Sequence, residues 1–399
     1  MTTVRFDMVQ TVAVAGVVLF LGHGIRRRIG VLQRFGVPAP VVGGLLFAGL
    51  AVLLRRAGVA VFQPDTVLQA PLMLAWFTTV GLGAGFGQLR VGGGQALMLG
   101  MLAGLLAAVQ NGVGIGLAAW FGVDPLLGLL SGSITMTGGH AMGAAFGGLM
   151  ENQLQLRGAV TVAMTMATLG LVAGGLLGGS LAMWLVRPRL VTPAARADGL
   201  PFEGEHEGGL APAGAYRMLK TLTLVLLVIL IGGALSTRLA GLGITLPRFV
   251  GAMLVALVVR NAVDRTRAVR VHRRAVEDLG TIALSLFLVM AMMSLGSWDL
   301  DALGVPLAVM LATQVLVTGL FAGLVTFRVM GGDYDAAVIA GGQCGLGLGA
   351  APAATAAVAG IVARSGPANR AVLAVSTIGV LFNDVTNSII ITTYLNLVR

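Results

Sequence analysis

Charge is scarce in this 399-residue sequence: only 11% of residues are Asp, Glu, Lys or Arg, against about 25% in ordinary soluble domains. So few ionic groups cannot cover a water-facing surface of this size, which excludes a soluble enzyme. Cysteine is nearly missing too, since the lone Cys344 can close no internal disulfide. There is no Gly-x-Ser-x-Gly, no His-Glu-x-x-His and no Walker sequence, so the chain offers neither a hydrolase nor an ATP-driven motor. Aromatics make up 6% and do not interleave with the 26 basic residues, so the net charge of +10 does not point to nucleic acid. Glycine is plentiful, with 60 residues, but it has no Gly-X-Y period and sits inside apolar runs, which excludes collagen and low-complexity disorder.

What is present is apolar sequence, 57% by composition, with a mean hydropathy of +0.93. Stretches of about 20 apolar residues are long enough to cross roughly 30 Å of hydrocarbon. Ten such spans are predicted near 7–25, 38–54, 66–87, 95–121, 158–186, 217–236, 246–262, 276–297, 304–327 and 369–397. The first ends in Arg26, Arg27 and Arg28 with no small-residue cleavage site after it, so it reads as a helix and not as a signal peptide. A polar stretch at 188–215, with several prolines and the acidic cluster Glu203, Glu205 and Glu207 beside His206, separates two sets of five spans, 1–187 and 216–399. It reads as a solvated cytoplasmic linker. With the N-terminus outside, 19 Lys and Arg residues fall on the inner side and 7 on the outer. That bias places both termini outside.

Two further apolar segments, about 125–149 and 335–360, are packed with glycine and small polar residues. A full crossing by either would scramble the charge bias, so both read as re-entrant hairpins, irregular backbone buried within the protein. The alternative is a small-residue helix packed in the bundle. The two halves also match each other. Val42–Leu46 aligns with Val250–Leu254, Gln110 with Gln314, Gly138-Gly139 with Gly341-Gly342, and Thr168–Gly170 with Thr377–Gly379, at offsets between 203 and 209. Five crossings per copy is odd, so the second copy enters from the opposite face. The expected fold is an all-α polytopic membrane protein made of two inverted-topology five-helix repeats, each with a glycine-rich re-entrant hairpin. Paired broken elements of this kind point to a midplane binding site in secondary transporters.

The first hairpin carries hydroxyls at Ser131, Ser133, Thr135 and Thr137, which an extended strand would place on one face. Gly138 and Gly139 then allow a tight reversal with exposed amides, an anion cradle beside a half-helix N-terminus. The second hairpin offers Gly341, Gly342, Gln343, Cys344 and Gly345 as flexible backbone from the other side, with Pro352 limiting the helix that follows. His140 reads either as a hydrogen-bonded structural residue or as a substrate contact, and Cys344 as packing. Asp384, in the middle of the tenth span, is an ionisable group at membrane depth and by default a functional residue. It shares a helix face with Asn387. A carboxylate beside amide oxygens suits sodium, and a carboxylate alone suits a proton. Gln110 and Asn111, mid-span in the fourth helix, are candidate ion-site neighbours or interhelical hydrogen-bond partners. Asp124, Asp333 and Asp335 at the hairpin entrances read as solvated loop charges.

Several segments together resemble the bacterial sodium/glutamate symporter family. They are Pro40-Val-Val-Gly-Gly-Leu-Leu46, Gln110-Asn-Gly-Val-Gly-Ile-Gly116, Gly132-Ser-Ile-Thr-Met-Thr-Gly-Gly-His140, Leu284-Ser-Leu-Phe-Leu-Val-Met-Ala-Met-Met293, Tyr334-Asp-Ala-Ala-Val338 and Cys344-Gly-Leu-Gly-Leu-Gly-Ala-Ala-Pro352. The resemblance implies sodium-coupled uptake of glutamate, or a related anionic amino acid, across the inner membrane by alternating access, through an elevator or a rocking motion. It implies the loop role for Gly138, Gly139, Gly341 and Gly342 and an intramembrane role for Asp384, with sodium held at Asp384 and Asn387. Two departures stand out: Ala141-Met142 replace a family Gly-Thr, and Gln343 stands where the family has His. A homodimer is expected by analogy. A proton-coupled transporter of another small carboxylate, and a channel, are the alternatives.

Overall fold

The computed structural model describes residues 2–34, 37–186, 213–243, 246–266, 271–294 and 304–398. The linker expected at 188–215, with Glu203, Glu205, His206 and Glu207, lies outside the described residues except for 213–215, which are already helical. Helix α1 (Met8–Arg28) opens on a reciprocal cap: Asp7 accepts from the Gln10 N–H at 2.8 Å while the Asp7 N–H donates to Gln10 Oε1 at 3.1 Å. Its last turn holds Arg26, Arg27 and Arg28, cations at the negative end of the helix dipole. The chain continues through α2 (Gly30–Arg34), α3 (Ala39–Arg56) and α4 (Gln69–Gly83) to α5 (Phe86–Phe121), which breaks at Gly93, where φ is 65°. A short α6 (Pro125–Leu129) runs into a π-helical turn at Leu130–Ile134, and α7 (Gly139–Gln153) and α8 (Ala159–Val186) follow.

The second half holds α9 (Ala213–Ala240), α10 (Arg248–Thr266), α11 (Arg273–Met293) and α12 (Gly304–Leu320). Helix α12 continues through a π-helical segment, Phe321–Thr326, into α13 (Phe327–Val329). Then come α14 (Tyr334–Ser365), α15 (Asn369–Leu381) and α16 (Asn383–Val398). Seven of the described helices are long and apolar enough to cross a membrane, so the chain is an all-α multi-pass membrane protein. Among the described residues the one departure from all-α is a parallel pair of strands, β1 (Thr2–Arg5) and β2 (Ala60–Gln63), flanked by Phe6 stacked on Phe62 at 5.9 Å.

Three of the ten expected spans differ from simple crossings. The third, α4, has 15 residues, about 22 Å of helix. The seventh, α10, carries Arg260, Asp264 and Arg265 in its final turns, which dilutes its apolar character. The tenth is broken at Phe382 into α15 and α16. The short polar side chains Asn383 and Asp384 open the second piece, as such residues do at helix starts. Asp384 therefore sits in the first turn of a helix, not in the middle of an unbroken span.

The helices gather into two bundles. One packs α1, α3 and α11 with α4, α9 and α10; the other packs α5 to α8 with α12 to α16. Missing side chains set the closest approaches. A Cβ at Gly43 would lie 2.2 Å from the Val18 carbonyl oxygen, and one at Gly232 would lie 2.4 Å from Ala252 Cα. These are the α1–α3 and α9–α10 contacts. The boundary between the bundles is largely apolar, with Phe146 of α7 edge-on to Phe249 of α10 at 5.0 Å. Asn261 hydrogen-bonds across it, accepting from the Phe86 N–H at 2.8 Å.

Helix α14 is hydrogen-bonded as helix along its length, yet it cannot be straight. A Cβ at Gly345 would lie 2.7 Å from Ala354 Cα, and one at Gly341 would lie 2.8 Å from Ile361 Cδ1. Nine residues of straight helix would separate the first pair by about 13 Å. The element is two antiparallel arms that reverse beyond Gly349.

Candidate functional site

Both chain reversals open on an aspartate cap. Asp124 accepts from the Leu126 N–H at 2.8 Å and Asp333 from the Ala336 N–H at 2.9 Å. These are helix caps, and not only the solvated loop charges the sequence suggested. Asp333 and Asp335 also pair with Arg370, at the start of α15, while the Tyr334 hydroxyl donates to the Gly366 carbonyl at 2.6 Å. Partial burial alone would raise the Asp333 carboxyl, but the Ala336 N–H and the Arg370 guanidinium hold it below the usual carboxylate range.

The four hydroxyls of the first hairpin are buried but do not line one face of a strand. Gly132 leaves helical geometry, with φ −86° and ψ −139°, inside a π turn, and the hydroxyls diverge from it. Ser131 Oγ and Ser133 Oγ have no partner among the described residues. Thr135 donates to the Leu130 carbonyl at 2.8 Å, and Thr137 donates to Gln110 Oε1 at 2.7 Å. The strand expectation failed because a glycine inside a helical run loosens the turn without extending it. The reversal does occur at the glycine pair. Gly139 takes φ 60°, a left-handed conformation that favours glycine, and α7 starts there with no side-chain cap. Its first N–H groups form the positive end of a helix dipole beside Thr137.

Gln110 is the junction of the site. Besides accepting from Thr137, its Nε2 donates to the Gly347 carbonyl at 2.7 Å and to Thr318 Oγ1 at 3.1 Å. One α5 side chain thus touches both hairpin segments. Gln314 of α12 donates to the Gln110 carbonyl at 2.8 Å, so the two glutamines aligned by the sequence repeat meet at the helix crossing. Asn111, the next residue, accepts from the Ser133 N–H at 2.8 Å. From the other side Asn387 Nδ2 donates to the Ser133 carbonyl at 3.0 Å and Asn383 Nδ2 to the Thr137 carbonyl at 3.4 Å. Ser133 is held between α5 and α16 by two amides, and Asn387 Oδ1 and Asn111 Nδ2 remain without partners among the described residues. Buried polar atoms are paired in about nine cases of ten, so this concentration marks a place built for something polar.

Asp384 stands at the edge of the cluster, with Asn383 Nδ2 3.4 Å from its Oδ1. Met142, one of the two departures from the family motif, puts its sulfur 3.6 Å from Asn387 Nδ2. His140 Nε2 lies 3.0 Å from Thr168 Oγ1, whose own hydroxyl donates to the Met164 carbonyl at 2.7 Å. A hydroxyl has one proton, so the imidazole is the donor in that pair, which fixes its tautomer.

The second motif is not loose backbone. Gly341, Gly342 and Gly345 lie in the first arm of α14, where a Cβ would collide with Gly178, Val358, Val375 or Ala354. Their role is close helix packing. Cys344 is buried with Ala322 and Ala340. Gln343 is 1% exposed, and neither end of its amide has a partner among the described residues. Three residues of the cluster escaped the sequence reading as site members, Gln314, Thr318 and Asn383. The repeat already marked Gln314 as the counterpart of Gln110, and Thr318 lies one turn beyond it.

A family model described as Sodium/glutamate symporter matches residues 4–367. The chain is 39% identical to the sodium/glutamate symporter of Escherichia coli K12, over 98% of each chain. It is 37% identical to the sodium/glutamate symporter of Haemophilus influenzae, over 96% of each.

Proposed function

The chain belongs to the sodium/glutamate symporter family, and on that premise we propose that it carries L-glutamate into the cell together with sodium, as a secondary active transporter of the bacterial inner membrane. It is not an enzyme, and sodium is co-transported cargo. The observation that carries this reading to particular residues is the Gln110 bridge, which ties Thr137 of the first hairpin to Gly347 of the second.

Glutamate is placed at that junction. Ser133, Thr135, Thr137, Gly138, Gly139 and His140 form one wall, and the α7 N-terminus meets a carboxylate there, as helix N-termini meet anions. On the other wall Gln343 supplies an amide with no competing partner, while Gly341, Gly342, Cys344 and Gly345 let the helices close around it. Sodium is placed at Asp384 and Asn387, with Gln110 and Asn111 as neighbours. Its support is the set of buried oxygens without donors, Ser131 Oγ, Ser133 Oγ and Asn387 Oδ1, because hard cations take oxygen ligands. Coupling follows from charge. A lone carboxylate at membrane depth is costly to carry across, whereas sodium beside Asp384 makes a neutral pair. Reorientation is then favoured only with the cation aboard.

The halves 1–187 and 216–399 are read as inverted copies joined by a cytoplasmic linker, with both termini outside and both hairpins re-entrant. In support, α1 packs on α3 as α9 packs on α10, and α7 on α8 as α14 on α15. The hairpin bundle moves against its neighbour, an arrangement favoured by their apolar boundary. A homodimer rests on the family alone, and light scattering of the purified protein tests it. The deciding measurement is uptake of labelled L-glutamate into proteoliposomes with an inward sodium gradient, against a choline control. Sodium-dependent accumulation is expected. Equal uptake in choline would replace sodium by a proton, and no uptake by folded protein would remove glutamate as the substrate.

A further inference from the structure

Far from the hairpins, where α4 and α10 end and α11 begins, the other bundle encloses a cavity of about 120 Å³. At its edge is Gly280, where a Cβ would lie 2.4 Å from Thr79 Oγ1, so the glycine lets α11 pack closely on α4 beside the cavity. Its apolar wall is Trp76, Val80 and Leu82. Arg260, Arg273 and Glu277 complete the lining. Each arginine uses Nε to hold the carboxylate one turn further along its own helix, Arg260 to Asp264 at 2.9 Å and Arg273 to Glu277 at 2.7 Å. The outer nitrogens of both guanidinium groups have no partner among the described residues, and neither has the buried Trp76 indole N–H. The cavity thus presents the outer guanidinium N–H groups of two arginines beside an apolar wall.

The surroundings are basic. Arg265 and Arg274 lie beside the two lining arginines on α10 and α11. Helix α9 runs antiparallel to α10, with Gly232 against Ala252 and Ser236 against Gly251, which brings Arg217 and Lys220 to the same end. Among the described residues, six cations there face three carboxylates, Asp264, Glu277 and Asp278. This end is also where α11, one of the membrane-length helices, begins, at the level where tryptophan and arginine meet lipid headgroups.

We propose that this cavity binds the headgroup of an anionic phospholipid of the phosphatidylglycerol type. The phosphodiester lies between the outer guanidinium nitrogens of Arg260 and Arg273, in the forked geometry that suits arginine to phosphate, and the glycerol backbone lies along Trp76 and Val80. Soluble phosphate would match the donors but leave the apolar wall unused. The lipid would join α4, α10 and α11 at one end of the bundle that stays still during transport, a stabilising role separate from glutamate or sodium binding.

The test is native mass spectrometry of the purified full-length protein, titrated in detergent with phosphatidylglycerol, phosphatidylcholine or glycerol 1-phosphate. Retention of phosphatidylglycerol well above phosphatidylcholine is expected, with a loss of about thirtyfold in affinity for Arg260→Gln/Arg273→Gln. The single Arg273→Gln variant, at a side chain 60% exposed, is expected to weaken binding about fivefold without disturbing the packing. Melting temperature and sodium-dependent uptake in detergent-exchanged phosphatidylcholine show whether each variant is folded. Equal retention of both lipids by the wild type, or unchanged phosphatidylglycerol binding by folded Arg273→Gln protein, would overturn the proposal. Binding of glycerol 1-phosphate as tight as that of the lipid would overturn it too, since the ligand would then be a soluble anion.

Discussion

The Gln110 side chain makes three hydrogen bonds to three different parts of the chain, and a residue so placed fails sharply when shortened. Gln110→Ala leaves the Gly347 carbonyl without its donor and removes the hydroxyl partners of Thr137 and Thr318. Each orphaned buried group costs about 1–3 kcal/mol. The expected outcome is a lower melting temperature and at least roughly tenfold slower glutamate uptake, read on the same preparation. Asp384 answers a different question. Asp384→Asn keeps the shape and the bond to Asn383 but removes the charge that the proposed sodium would neutralise. Sodium activation of uptake should disappear while the protein remains folded; activation that persists would take Asp384 out of the site. The sequence singled out Gln110, Asn111, Asp384 and Asn387 because polar groups in apolar runs are visible one residue at a time. That Ser133 lies between Asn111 and Asn387 was not visible, because the three are far apart in the chain.

At the scale of elements, the second hairpin shows how glycine misleads. In sequence Gly341 to Gly345 looks like loose backbone, whereas in the fold these residues are helical and let two arms touch. Gly345→Val would drive a branched side chain into the Ala354 backbone. Overpacking of this kind costs about 1–3 kcal/mol, so thermal unfolding should shift down, with Gly360→Ala, which meets nothing within 4 Å, as the silent control. The hairpin base carries the pH dependence. Asp333 has its pKa lowered in the folded state, so its contribution to stability is present above the unfolded carboxylate value and is lost as pH falls through the folded one. Arg370→Gln removes part of that lowering. The gap in melting temperature between wild type and variant should hold from about pH 5 to 8 and shrink below about pH 4. It will be small, since Arg370 is half exposed. Helix caps at Asp124 and Asp333 were legible as charges at hairpin entrances, but their capping role needed the backbone geometry.

At the scale of the molecule, ten apolar spans and the charge bias describe a chain threaded back and forth, with nothing to say which helices sit side by side. The fold sorts them into two bundles and gives one of them both hairpins. Orientation is testable without a structure. If the termini lie outside, as the 19 to 7 distribution of Lys and Arg predicts, alkaline phosphatase fused after Arg399 should be active and green fluorescent protein at the same place dark. The reverse pattern would invert both repeats.

The sequence by itself determined that the chain lives in a membrane and that a few polar groups, Gln110, Asn111, Asp384 and Asn387 among them, stand inside its apolar runs. These properties follow from transfer energies and from short-range pattern, which each residue carries with it. Only the tertiary structure decided that the tenth span breaks at Phe382, that the second glycine motif is a packing seam, and that Gln110 joins both hairpins. Those outcomes depend on which distant backbone approaches which, and close packing of distant segments is settled only when the whole chain has folded.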